Sequence, residues 1–187
     1  METLTNINEY MTPQQFSKIF WKQYLLLEKD FLETDEFVSI DKSNFKTFSS
    51  RYTYLLLNIC SEVDSIAEVY CKVLGRKPNN IAGKIRTIVT KTPKIKNERA
   101  ITKYPYDGIR IPPFQEFNDK VVAEWWSNYN LVKHARAEEP SDTIPNSQLA
   151  NLKSVLYALA GLYILCQNLY KHLGELDLPL EPSKLFE

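Results

Sequence analysis

The feature that most restricts the fold is a long helical repeat between residues 44 and 74. It advances in steps of three and four residues, as one face of an α-helix requires, through Phe45, Phe48, Tyr52, Leu55, Ile59, Glu62, Ile66 and Tyr70. Glu62 is its one polar member. A helix of about thirty residues is roughly 45 Å long, and its apolar face must be buried against other helices. Gly75 is expected to end it.

Three further segments, residues 12–33, 118–137 and 147–173, have apolar residues at helical spacing and can bury this face. Residues 80–91 have the pattern of a short basic helix. Thr12 and Asn80 are typical N-cap residues, and Pro13 suits the first helical position. Gly161, inside the last segment, lowers helix propensity but lets a neighbouring helix approach closely. The sequence therefore predicts one all-α domain over residues 1–187, an antiparallel bundle of four to five helices.

Residues 92–118 interrupt the helical pattern and hold four of the ten prolines. An Asp-Gly pair at residues 107–108 lies between β-prone residues and favours a tight type I′ hairpin turn. Pro105, Pro112 and Pro113 would restrict any strands to a small edge ribbon. We expect an irregular insertion with one small β-hairpin around residues 100–114, on the outside of the helical body.

The formal net charge is zero, but it is unevenly distributed. Between Lys72 and Arg110 there are 11 Lys and Arg against Glu98 and Asp107, so this segment carries +9 and the remainder −9. Concentrated positive charge suits a polyanion such as RNA, because phosphate contacts release counterions. The alternative is that this segment docks on an acidic face of the same chain or of another subunit.

The candidate nucleic-acid ligands in this segment are its cations, namely Lys84, Arg86, Lys91, Lys94, Lys96, Arg99, Lys103 and Arg110. Three aromatic residues are candidates for stacking on bases: Tyr104, Tyr106 and Phe114.

Composition narrows the class of protein. No apolar run reaches the ~18 residues of a membrane span, and the N-terminal segment "METLTNINEYM" lacks the regions of a signal peptide. The three cysteines lack the paired spacing of a disulfide framework or zinc site. The sequence contains no Gly-rich phosphate loop and no paired metal-ligand motif. We expect a cytoplasmic protein with no membrane contact, no bound metal and no cofactor.

The stretch "WWSNYNLVKHAR", residues 125–136, is the most distinctive motif. On a helical wheel one apolar side contains Val121, Trp125, Tyr129 and Val132. A second side contains Trp126, Asn130, Lys133 and Ala137, with His134 beside Asn130 at i,i+4. Two tryptophans on different sides predict that one side meets the core and the other a subunit or ligand.

The polar residues of this motif could carry chemistry. An imidazole such as that of His134 suits general acid or base catalysis near neutral pH. Lys133 and Arg136 could bind a phosphate, and Asn130 could orient the histidine. A carboxylate at Glu62 requires a partner if buried, and a cation of the motif helix is a candidate. The alternatives are a hydrogen-bonded structural histidine and a glutamate at the wet edge of the bundle.

The motif resembles a pattern, WWxxYNxxKHxR, in an uncharacterised group of bacterial HEPN-like helical proteins. Trp125–Trp126, Tyr129–Asn130, Lys133–His134 and Arg136 match it. The likeness extends over roughly residues 45–172, since "LLLNICSEVDSI" resembles the upstream helix and "LANLKSVLYALAGLYIL" the downstream one.

The resemblance implies a bundle of four or five helices, frequently a homodimer. Active members of the wider family are metal-independent endoribonucleases of toxin–antitoxin and antiphage systems. In them an arginine precedes a polar residue and a histidine, which here correspond to Asn130 and His134, whereas Tyr129 stands at the arginine position. The resemblance is therefore equally compatible with a non-catalytic module that binds RNA, a nucleotide or a protein partner, or that dimerises.

Overall fold

The structure is a computed structural model that describes residues 10–106, 108–118, 121–140, 143–174 and 180–187. Within them, helix α1 comprises three consecutive segments, Pro13–Phe16, the π-helical Ser17–Trp21 and Lys22–Leu32. The other helices are α2 (Ser50–Val73), α3 (Ile81–Lys91), α4 (Glu124–His134) and α5 (Leu152–His172). Strands β1 (Ala100–Ile101) and β2 (Arg110–Ile111) pair antiparallel. The predicted helical fold with a small hairpin is confirmed.

Polar side chains determine where most helices begin. Helices α1, α2, α3 and α5 each start at a side chain that accepts a backbone N–H: Thr12, Ser49, Asn80 and Asn151. Gly75, at φ +70°, follows the end of α2 as expected. Short 3-10 turns connect the helices at Glu33–Glu36, Lys42–Asn44, Pro93–Asn97 and Asn146–Leu149.

Helix α4 is shorter than the sequence predicts. The Asn118 Oδ1 accepts the Val121 N–H at 3.0 Å, as an N-cap would, but residues 121–123 are not helical. The helix begins at Glu124, whose N–H donates to the carboxylate of Glu116 at 3.0 Å. Val121 therefore lies before the helix and is 51% exposed.

The two longest helices, α2 and α5, pack side by side at the centre of the fold and run parallel. At their starts, Phe48 and Asn151 form a β-bridge. At their ends, the rings of Tyr70 and His172 lie 5.5 Å apart. The expected antiparallel arrangement is wrong for this pair. Apolar periodicity determines which face of a helix is buried but not its direction, and the long connection from 74 to 151 allows a parallel return.

Helix α1 runs antiparallel to this central pair. Its first turn reaches the end of α5, where Phe16 stacks on Tyr170 with ring centroids 5.4 Å apart. At its other end, Asp30 contacts Arg51 in the first turn of α2, with Oδ1 and the guanidinium nitrogen 3.4 Å apart. Buried apolar side chains from all five helices form one cluster.

The hairpin is part of this core and does not lie on its outside. Its buried side chains include Ala100, Ile109, Ile111, Phe114 and Phe117, all at most 5% exposed. The chain segment 180–187 returns to β1, where Thr102 and Phe186 form an antiparallel bridge. The expected external position is wrong because alternate residues of this segment are apolar and cover α5. Asp107, half of the predicted Asp-Gly turn, lies outside the described residues.

Helix α5 has the length and apolar composition of a membrane span, and 78% of the relevant stretch is buried inside the fold. Such burial is what the central helix of a soluble protein shows.

Candidate functional site

The polar residues of the motif lie together at the C-terminal end of α4 and in the turn after it. Asn130, Lys133, His134 and Arg136 are all exposed. The Lys133 ammonium lies 5.5 Å from the centroid of the Tyr129 ring, and the Arg136 Nε donates to the Val132 carbonyl at 3.2 Å. Cations in the last turn of a helix are favoured by its dipole. This cluster of four side chains is called the His134 cluster below.

The aromatic residues of the motif are buried in the core. The Trp125 indole N–H donates to the Pro113 carbonyl at 2.8 Å. Trp126 is 5% exposed, and its ring lies 4.9 Å from that of Tyr129. The expectation that Trp126 meets a subunit or ligand is wrong, since the fold of this chain already buries almost all of its side chain.

Tyr129, which the resemblance aligns with an arginine of HEPN proteins, is 7% exposed. It is a packing residue, and it gives the His134 cluster no positive charge.

Glu62 is not brought to the His134 cluster. It is half-buried on α2, and burial raises the pKa of its carboxyl group. Burial, and next the charge of Glu62, raises the pKa of the Cys166 thiol on α5. Among the described residues, no hydrogen bond or ion pair joins Glu62 to Lys133, His134 or Arg136. The proposed pairing of Glu62 with a motif cation has no support in these contacts.

Two of the predicted nucleic-acid ligands are engaged inside the fold. Lys84 is 6% exposed, and its ammonium lies 2.8 Å from Asp64 and 3.6 Å from Glu68 on α2. Lys103 is half-buried and donates to the Ser183 carbonyl at 2.7 Å. Lys84 neutralises carboxylates of α2, and Lys103 binds the segment 180–187. The assignment of these two lysines to RNA is therefore not retained.

The remaining six cations lie on the surface. Arg86, Lys91, Lys94, Arg99 and Arg110 are exposed, and Lys96 is half-buried. Lys94 is 3.7 Å from Glu98, one helical turn away, a distance at which an exposed ion pair contributes little. These six residues, on α3, on the turn Pro93–Asn97 and on β2, are called the basic surface below.

The candidate stacking residues differ in accessibility. Tyr104 is 96% exposed and remains available, and Tyr106 is half-buried. Phe114 is fully buried, with its ring 6.4 Å from that of Trp125, so its predicted role in stacking is wrong.

The His134 cluster and the basic surface lie at opposite ends of α4. Phe117, which borders the basic surface, has its ring 6.2 Å from that of Trp125 in the first turn. His134 is nine residues further on, which is roughly 13 Å along the helix axis. A single bound phosphate cannot contact both groups, whereas a strand of several nucleotides can.

Sequence reasoning missed one buried carboxylate. Glu28, 1% exposed, accepts hydrogen bonds from the Tyr24 hydroxyl at 2.6 Å and from the Ser183 hydroxyl. It also accepts the backbone N–H groups of Lys184 at 2.9 Å and Leu185 at 3.1 Å. The signal was present in the sequence: Glu28 follows Tyr24 by one turn on the apolar face of α1. Four donors satisfy this carboxylate, so it has a structural role.

No group of three or more His, Cys, Asp or Glu side chains able to hold a metal occurs in the described part of the chain. Comparison of the sequence with protein-family models and with curated proteins, and of the fold with solved structures, gives no match.

Proposed function

We propose that this chain is an RNA-associated, HEPN-like helical protein that binds single-stranded RNA through the basic surface. The observation that carries the proposal is the concentration of exposed cations between Arg86 and Arg110, within a segment of charge +9. The HEPN-like likeness of the motif is a second support. We further propose that it acts in the cytoplasm, in a toxin–antitoxin or antiphage system as its HEPN relatives do.

Phosphate contacts by these cations would make the affinity depend strongly on salt. For single strands, each neutralised phosphate contributes about 0.7 to the slope of log affinity against log salt. Tyr104, fully exposed at the hairpin, could stack on a base without selecting its identity.

The test is fluorescence anisotropy with a labelled single-stranded RNA between about 50 and 200 mM salt. Replacing Lys91 and Arg99 with Glu removes two contacts and should flatten the slope by about 1.4. The matched control replaces Lys18 and Lys22, exposed on α1, with Glu, which changes the net charge equally. Equal loss of affinity in both variants, or no binding by the wild type, would refute the proposal.

A metal-independent endoribonuclease is the second candidate, and the exposure of the whole His134 cluster favours it. In this function His134 removes the proton of a 2′-hydroxyl, whose oxygen attacks the adjacent phosphorus while the P–O5′ bond breaks. The imidazolium of His134 then gives this proton to the leaving 5′-oxygen. Lys133 and Arg136 bind the phosphate, and Asn130 orients the imidazole. The expected products are a 2′,3′-cyclic phosphate and a 5′-hydroxyl end, formed without a metal.

Cleavage of total RNA in the presence of EDTA tests this candidate. His134→Ala should abolish cleavage, and His172→Ala, at the only other histidine, should not. Absence of cleavage by the wild type would leave RNA binding as the function.

A non-catalytic dimerisation or protein-binding module is the alternative to both. The family resemblance suggests a homodimer, and light scattering of the purified chain measures it directly. A dimer that does not bind RNA at ~0.15 M salt would favour this alternative over the RNA proposal.

A further inference from the structure

A small groove lies inside the basic surface, between α3, the turn Pro93–Asn97 and the chain at Phe117. Its volume is about 230 Å³, and its walls belong to three separate parts of the chain. The lining residues that matter here are Ala82, Ile85, Val89, Thr90, Lys96 and Phe117.

The floor of the groove is apolar. Ile85 is 1% exposed and Phe117 is 5% exposed, so both form part of the core and present only an edge to the groove. Val89, one turn after Ile85, is half-buried beside them. The apolar surface that remains uncovered therefore belongs mainly to Ala82 and Val89, both half-buried on α3, and a flat apolar group would pack against these two side chains.

The rim of the groove is polar and positively charged. Lys96 is half-buried and makes no ion pair with any described residue. Thr90, exposed on α3, adds a hydroxyl group to the same opening. A ligand with a flat apolar body and an adjoining negative charge matches both the floor and the rim.

We propose that this groove takes a single unstacked base of RNA, with the flanking phosphate at Lys96. The volume lies below the ~300–1,000 Å³ of pockets for drug-sized ligands, so it limits the occupant to one planar group. Sequence-tolerant proteins bind single strands by combining a basic track with stacking of bases on aromatic rings. This inference rests on the proposed RNA binding and names the part of the RNA that the site would hold.

The experiment compares a short single-stranded RNA with an abasic backbone of equal length and charge. The wild type should bind the intact RNA about tenfold more tightly, the size of one stacked base. All of these chains carry Tyr104→Ala, so that stacking on that exposed ring does not contribute to the difference. Ala82→Trp fills the groove without changing any charge and should reduce the affinity for intact RNA to that for the abasic backbone. Asn97→Trp, exposed next to Lys96 but outside the groove, is the control and should preserve the preference.

Lys96→Gln should weaken binding of both ligands equally, because it removes a phosphate contact and leaves the floor intact. If Ala82→Trp fails to give a wild-type circular dichroism melt, Thr90→Trp fills the groove from a position near the other end of α3.

Equal wild-type affinity for the intact and abasic ligands would overturn the base site but leave RNA binding in place. Binding of neither ligand would overturn the proposed function itself.

Discussion

Replacing Glu28 with Gln tests whether the buried carboxylate anchors the segment 180–187. The carboxylate accepts four hydrogen bonds and donates none, through Oε1 from Tyr24, Ser183 and Leu185 and through Oε2 from Lys184. An amide in the same place turns one acceptor into a donor. In either orientation of the amide in Glu28→Gln, its NH₂ group therefore faces a backbone N–H, that of Leu185 or that of Lys184, and cannot accept its hydrogen bond.

The magnitude follows from these four bonds. Leaving one backbone N–H without a partner costs about 1–3 kcal/mol, and the other three bonds lose the assistance of a charge. We expect Glu28→Gln to lower the free energy of unfolding by about 3 kcal/mol, which for a chain of this size is a fall of roughly 6–12 °C in Tm.

The assay is urea denaturation followed by circular dichroism, with Glu36→Gln as the matched control. Glu36 is exposed just beyond the same helix, and its variant should stay within about 0.5 kcal/mol of the wild type. Amide hydrogen exchange at Lys184 and Leu185 should accelerate in Glu28→Gln alone. Equal stability of the two variants would show that the carboxylate is not an anchor.

Three further predictions concern the core. Leu159→Ala, at a fully buried position of α5, should cost about 2–5 kcal/mol in a denaturant melt, and a nearly neutral result would contradict its central position. Because burial raises the pKa of Glu62, the folded state binds this proton more tightly than the unfolded state, and its contribution to stability declines as pH rises through the unfolded and folded pKa values. The difference in unfolding free energy between Glu62→Gln and the wild type should therefore favour the variant more at pH 7 than at pH 4. A difference that does not change with pH would argue against this burial. Burial raises the pKa of Cys71 to about 11 and those of Cys60 and Cys166 well above their usual values. A disulfide reagent at pH 8 should therefore modify these thiols only upon unfolding, and rapid modification of the native protein would contradict their burial.

Much of the fold follows from the sequence because the apolar stripes are long and periodic. The stripe of α2 is confirmed at Tyr52, Leu55, Ile59, Ile66 and Tyr70, each at most 1% exposed. Its predicted start is wrong, because the helix begins at Ser50, after Phe45 and Phe48, and Phe48 is 49% exposed. Other errors concern features that apolar periodicity does not determine. Helix direction depends on long connections, and the start of α4 depends on hydrogen bonds that Asn118 and Glu116 make outside the helix.

The candidate site was less predictable than the fold. The exposure of His134 agrees with the helical wheel, but Lys84 was assigned to RNA although it pairs with Asp64 on another helix. Local sequence shows that a cation is present but not which distant carboxylate neutralises it. At Gly161 the sequence was sufficient. The predicted close approach of a neighbouring helix is confirmed, because Trp125 would lie 3.4 Å from a Cβ added to Gly161.

The parallel arrangement of α2 and α5 affects how the chain can fold. Their contacts join residues about a hundred positions apart, such as Phe48 with Asn151 and Tyr70 with His172. Closing so long a loop costs conformational entropy before the contacts between the two helices can form. A high contact order therefore slows folding. During synthesis the apolar face of α2 cannot pack against α5 until α5 has left the ribosome. The nascent chain therefore exposes this apolar face throughout that interval, which is when chaperones would be needed most.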